Sequence, residues 1–175
     1  TSPVLTVNNA ASYTIVLGAA SQVTVTTSGS TAGGGSRTLT GTVQDAGGNT
    51  VTTDNTTQVT FGKASGTGPA TFPAAATASS GVATATATNN LIGTMVVGAT
   101  TTPVLTVNNA ASYTITLGAA SQVTITTSGS TTAGGSRTLT ATVQDAGGNT
   151  VTTDNTTQVT FNKNSGTGTA TFPAA

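Results

Sequence analysis

The chain has 175 residues with no cysteine and no histidine, and its four cations, Arg37, Lys63, Arg137 and Lys163, balance four aspartates, Asp45, Asp54, Asp145 and Asp154. Disulfides and thiolate metal sites are thereby excluded, and so sparse a positive charge cannot make the basic stripe that a nucleic acid needs. No apolar run is long enough to span a membrane, and about a quarter of the residues are Thr, whose branching at Cβ favours strands.

The elements read as short strands separated by Gly, Asn and Ser turns. In Gln22–Thr27, Val23 and Val25 alternate with Thr, the pattern of a half-buried strand. A Gly/Ser-rich loop, 28–36, leads to a second strand with Leu39, Gly41 and Val43 on one face. Asp45–Asn49, Asp-Ala-Gly-Gly-Asn, is a turn: Gly supplies positive φ, and Asp and Asn bond their own backbone. Val51 opens a short strand, Gln58–Phe61 turns Val59 and Phe61 inward, and Gly-Lys-Ala-Ser-Gly-Thr-Gly from Gly62 reads as a loop. Ala70–Phe72 is a further strand. The run from Gly81 alternates Ala and Thr too evenly for its inward side to be assigned. The next run carries Met95, Val97 and Ala99 on one face, and Val104–Val107 and Tyr113–Leu117 complete the set. No segment of useful length has a helical period. The core is predicted at Val23, Leu39, Val59, Phe61, Met95 and Ile115, and turn signals every 8–12 residues mark a β-sandwich.

The sequence also repeats. Pro3 returns as Pro103 and Asp45 as Asp145, a period of 100 residues, and the copies differ at eight of 73 aligned positions. That period is too long for a solenoid repeat and fits one small all-β domain. Val25 becomes Ile125, which keeps an inward position apolar, whereas Ala32, Gly33, Gly62, Ala64 and Pro69 change in predicted loops.

The ordered set of an Ala-Ala-Ser-Gln-Val strand, Val-Gln-Asp-Ala-Gly-Gly-Asn from Val43, Gly-Val-Ala-Thr from Gly81 and Gly-Thr-Met-Val-Val-Gly-Ala from Gly93 resembles the bacterial immunoglobulin-like (Big) repeats of large surface proteins, adhesins and invasin-like stalks. The resemblance implies tandem immunoglobulin-like antiparallel sandwiches, a structural or adhesive role at the cell surface, and no catalytic residues. It also sets a frame. Residues 1–18 are expected to be the closing strands of one repeat, 19–118 a complete repeat, and 119–175 the first part of another. The expected linkers lie around Gly18–Ala20 and Gly118–Ala120.

Without His, Cys or Glu, a Ser or Thr nucleophile has no ordinary base, so catalysis is not expected. The residues that come nearest to a metal site are Asp45, Asn49 and Asp54, but Ca²⁺ takes six to eight oxygens, and the turn accounts for the first two; no cofactor is expected. Asn55 and Asn155 head Asn-Thr-Thr sequons that a Thr-rich chain also produces by chance. Lys63 and Lys163 are the only lysines available to an isopeptide bond, and no Glu accompanies them. Thr84, Thr86 and Thr88 are spaced like the Thr rows of a flat ice-binding face, yet Thr is the default outward residue on every strand. The reading is a stalk, extender or filament body. Its partners are neighbouring repeats or identical subunits, with glycan as a further partner. The alternative is an adhesin module that holds glycan or a host protein on its loops.

Overall fold

The structure is a computed structural model and describes residues 11–172. Ten strands form one sandwich: β1 (Gln22–Thr27), β2 (Thr31–Ala32), β3 (Ser36–Gln44), β4 (Gln58–Gly66), β5 (Ala70–Thr71), β6 (Ala76–Thr77), β7 (Val82–Asn89), β8 (Gly93–Thr102), β9 (Thr106–Val107) and β10 (Ala111–Thr116). One sheet has the order β5-β7-β3-β1-β9 and the other β2-β10-β8-β4-β6. This is the all-β sandwich that the alternating pattern and the turn spacing predict.

The six predicted core residues are all buried, joined by Val25, Val43, Val97, Tyr113 and the alanines Ala83 and Ala87 of β7. The inward side of the Ala-Thr run is therefore its Ala side. Thr84 and Thr86 point outward and pair with Thr40 and Thr38 of β3, so one sheet carries a Thr ladder on its outer face. With few large side chains available, the core is mostly Val and Ala, with Leu39, Phe61, Met95, Tyr113 and Ile115 as its larger members.

Three expectations are corrected. The pairs β1–β9 and β2–β10 are parallel, so the sandwich is not wholly antiparallel. After Pro103 the chain crosses to the edge of the opposite sheet and back, and the strands it meets there run in its own direction. Val51 is buried but opens no strand; its amide bonds the Val43 carbonyl at 2.9 Å. Lys63 lies within β4 and not in a loop, because β8 is long enough to pair on past a bulge between Lys63 and Ser65. Among the residues expected to close a preceding repeat, 1–10 lie outside the described part. Residues 11–18 form no strand, and Tyr13 and Ile15 are exposed where Tyr113 and Ile115 are buried. The counterpart strand β10 pairs with β8.

Past Gly118 the chain forms a hairpin of β11 (Gln122–Thr127) and β12 (Leu139–Gln144) in the same register as β1 and β3. Its inward residues Val123 and Ile125 are exposed.

Candidate functional site: the joint between repeats

The two Asp-Ala-Gly-Gly-Asn turns have the same local geometry. The carboxylate of Asp45 accepts from the amides of Gly47 and Asn49, both at 2.9 Å, and from the Asn49 side chain at 3.1 Å. Gly48, at φ 84°, closes the turn by donating to the Asp45 carbonyl at 3.0 Å. Asp145 repeats this set with Gly147 and Asn149. Each carboxylate has a second task. Asp45 Oδ2 accepts from the Gly18 amide at 3.0 Å, and Asp145 Oδ2 from the Gly118 amide at 3.0 Å. The predicted linkers are thus clamped to the turn of the repeat they enter. A side chain on Gly118 would be tight in the clamp, with its Cβ 3.2 Å from Asp145 Cβ and 3.4 Å from Ala32 Cβ.

The Gly18 amide, ahead of Asn49 and Gly47, holds the Asp45 carboxyl at about 2. At Asp145 burial pushes the carboxyl up, but bonds from Gly118, Asn149 and Gly147 outweigh it and keep it below the ordinary carboxylate range.

The turns differ in what lies outside them. Asp45–Asn49 is exposed except for its first residue. Asp145–Asn149 is seated on the end of the first sandwich. Asn149 Nδ2 donates to the Asn90 carbonyl at 2.6 Å, and Asn149 Oδ1 accepts from the Ile92 amide at 3.4 Å. Beneath it lies the loop between β2 and β3. There Gly33 donates to the Thr116 carbonyl and Gly34 to the Asn89 carbonyl, both at 2.9 Å. A Cβ on Gly147 would stand 2.8 Å from the Gly33 carbonyl carbon and from the Gly34 nitrogen, so backbone meets backbone there.

Below this end Arg37 is buried over the Tyr113 ring, 4.7 Å from its centroid. The Tyr113 hydroxyl donates to the Asn89 side-chain oxygen, whereas Arg37 Nε and Nη1 and Asn89 Nδ2 are enclosed with no acceptor. Burial lowers the Arg37 pKa and raises that of Tyr113.

The other singled-out residues are also placed. Asp54 accepts from the Thr56 and Thr57 amides at 3.0 and 2.9 Å and from the Thr57 hydroxyl at 2.6 Å. Burial pushes its carboxyl up, and these bonds outweigh it. The oxygens of Asp45 and Asp54 therefore face separate sets of donors. Among the described residues no three acidic, His or Cys side chains gather. Asn55 is exposed and accepts the Ser80 amide at 2.9 Å, and the hydroxyl of its sequon, Thr57, is the one bound to Asp54. Asn155 is exposed, and its amide faces the Thr153 carbonyl at 3.4 Å. Lys63 and Lys163 donate to the carbonyls of Gly68 and Gly168, at 2.7 and 2.5 Å. Among the described residues no helix is long and apolar enough to cross a membrane.

Sequence reasoning missed Asn109. Its side chain accepts from the Val25 amide and donates to the Val25 carbonyl, both at 2.8 Å, which continues the β1–β9 ladder with a side chain. The doublet Asn108-Asn109 after a strand was the signal that could have found it.

No family model and no curated protein matches the sequence. Solved structures similar to it include FdeC, described as a novel, broadly conserved Escherichia coli adhesin eliciting protection against urinary tract infections. The identity is 26% and the TM-score 0.49, over 79% of this chain and 45% of that one. The D00-D0 domain of intimin is similar at 25% identity and a TM-score of 0.40, over 53% of this chain and 45% of that one. The chain thus spans less than half the length of either.

Proposed function

We propose that this chain is a structural tandem-repeat module from the stalk, extender or filament body of a bacterial extracellular surface protein. In this reading one unit runs from Ala19 to Gly118, residues 1–18 belong to the unit before it, and residues 119–175 begin the unit after it. The observation that carries the reading is the seated turn: Asp145–Asn149 rests on the end of one sandwich, and the same five residues recur 100 positions earlier, at the other end of that sandwich. A unit with a turn at one end and a seat for that turn at the other adds to itself head to tail. Such a contact does not close on itself and extends in a line.

Its partners are then neighbouring repeats or identical subunits, with glycan on the Thr-rich faces as a further partner. The role is mechanical and not enzymatic: the carboxylates are engaged by backbone and side-chain donors. The test is small-angle scattering on arrays with an increasing number of 100-residue periods. The maximum dimension is expected to rise linearly with copy number. An array whose dimension grows only as that of a compact globule would overturn the reading.

A further inference from the structure

Gly33 is glycine for a different reason from its neighbour. Gly34 has φ 79°, which an L side chain rarely adopts, whereas Gly33 lies outside that region and its backbone would accept alanine. What crowds a side chain at Gly33 is the seated turn, whose Asn149 and Asp145 side-chain ends would have to move, together with the Asn90 carbonyl of its own sandwich. A Cβ there would run into the Asn149 amide nitrogen, stand 2.7 Å from Asp145 Oδ2, and stand 2.9 Å from the Asn90 carbonyl. Two of these three obstacles belong to the next repeat. In the second repeat the aligned residue is Ala133, and Thr132 stands for Ala32; these are two of the eight differences between the copies. Gly34 itself is kept as Gly134, with φ 82°, so the loop conformation is the same and Ala133 directs its methyl where Gly33 has none. Ala133 is exposed.

We propose that Gly33, Gly34 and Asn90 form a socket selective for the Asp-Ala-Gly-Gly-Asn turn of an adjoining repeat, that the bare Cα of Gly33 sets the selectivity, and that Ala133 closes the same socket in the second repeat. The inference rests on the tandem-repeat reading and refines it: repeats that are nearly identical in their cores carry two kinds of joint. The glycine joint is fixed by three attachments, namely the linker, the Gly118–Asp145 bond and the seated turn. The alanine joint keeps the first two and gives up the third. The free turn at Asp45–Asn49 is, by the same chemistry, a ligand for a glycine socket and not for an alanine one.

The absence of cysteine allows a direct test in the whole chain. Cysteines placed at Thr86 on β7 and Thr126 on β11, both exposed, are spin-labelled and their distance distribution is measured by double electron–electron resonance. The parent is expected to give one narrow distance. Gly33→Ala, which builds the second repeat's socket into the first, is expected to shift and broaden it. Gly29→Ala, at an exposed position with no atom near the added Cβ, is expected to leave it unchanged. Should Gly33→Ala unfold the sandwich, Asn149→Ala decides instead, because it removes the seat's hydrogen bonds from outside that sandwich and is expected to broaden the distribution. An unchanged distribution in a folded Gly33→Ala overturns the socket, as does an unchanged one in Asn149→Ala where that variant decides. Either result leaves linear growth of longer arrays, and so the stalk reading, standing.

Discussion

Asn149 donates its side-chain amide to the main-chain carbonyl of Asn90 at 2.6 Å, a bond that joins residues on opposite sides of the linker. Among the described residues its equivalent Asn49 bonds only within its own turn. The two asparagines are therefore separable by experiment. Asn49→Ala and Asn149→Ala both lose the turn's bonds to aspartate, a net effect of about 1 kcal/mol per hydrogen bond. Only Asn149→Ala is expected to speed hydrogen exchange at the Ile92 amide. Equal exchange at Ile92 in both variants would contradict the contact.

Acid should weaken the folded state in a defined window. Asp45 and Asp154 are held at about 2 against an ordinary 3.8, the first chiefly by the Gly18 amide and the second chiefly by the Thr157 hydroxyl. As pH falls, the unfolded chain takes up protons before the folded one. The stabilisation is thus complete above the ordinary value and is lost between 3.8 and about 2. Melting temperature measured against pH should fall through this window, and Asp45→Asn should flatten part of the fall. A curve that stays level down to the lower limit would refute the assignment.

The core should respond by position and not by residue type. Leu39 is fully buried, whereas Leu91 is 46% exposed. Leu39→Ala is expected to cost about 2–5 kcal/mol, and Leu91→Ala no more than about 0.5 kcal/mol, in denaturant titrations of the same chain.

The buried polar group under the socket should show an inverted pattern. Tyr113→Phe leaves the Asn89 oxygen without its donor and is expected to cost about 1–3 kcal/mol. Arg37→Met removes a buried cation that lacks an acceptor on two nitrogens, and is expected to hold or raise stability, as replacements of buried charges by apolar side chains do. A drop for Arg37→Met larger than that for Tyr113→Phe would show that the stacking on the ring outweighs burial of the charge.

Folding is expected to need no metal. Thermal melts with calcium and with a chelator should superimpose, because both carboxylates of the complete repeat are already met by donors. A large fall with chelator would mean that Asp45 or Asp54 also holds a cation.

The alternation of Val with Thr made the strands and the inward residues readable, since a period of two needs only neighbouring positions. Val23, Leu39 and Phe61 were legible for that reason. The Ala-Thr run was not, because Ala and Thr differ too little in burial preference to show a side until β3 and the opposite sheet are in place. Asp45 read as a turn residue, and it is one, but its bond to Gly18 spans 27 residues and leaves no local mark. Asn109 and Val25 lie 84 apart, and Gly33 and Asn149 more than a period. Where a glycine is required by an approaching neighbour and not by its own φ, the sequence of one repeat cannot reveal it. Comparison of two copies can, once the joint is seen.

The parallel pairing of β2 with β10 has a mechanical consequence. The two strands are paired side by side but lie near opposite ends of the chain segment, β2 after the entry at Gly18 and β10 just before the exit at Gly118. Tension between entry and exit drags β10 along its edge partner instead of peeling it away. The hydrogen bonds of that edge, with the Gly33–Thr116 bond beside it, are then loaded together in shear, a geometry that resists rupture far better than unzipping them one at a time.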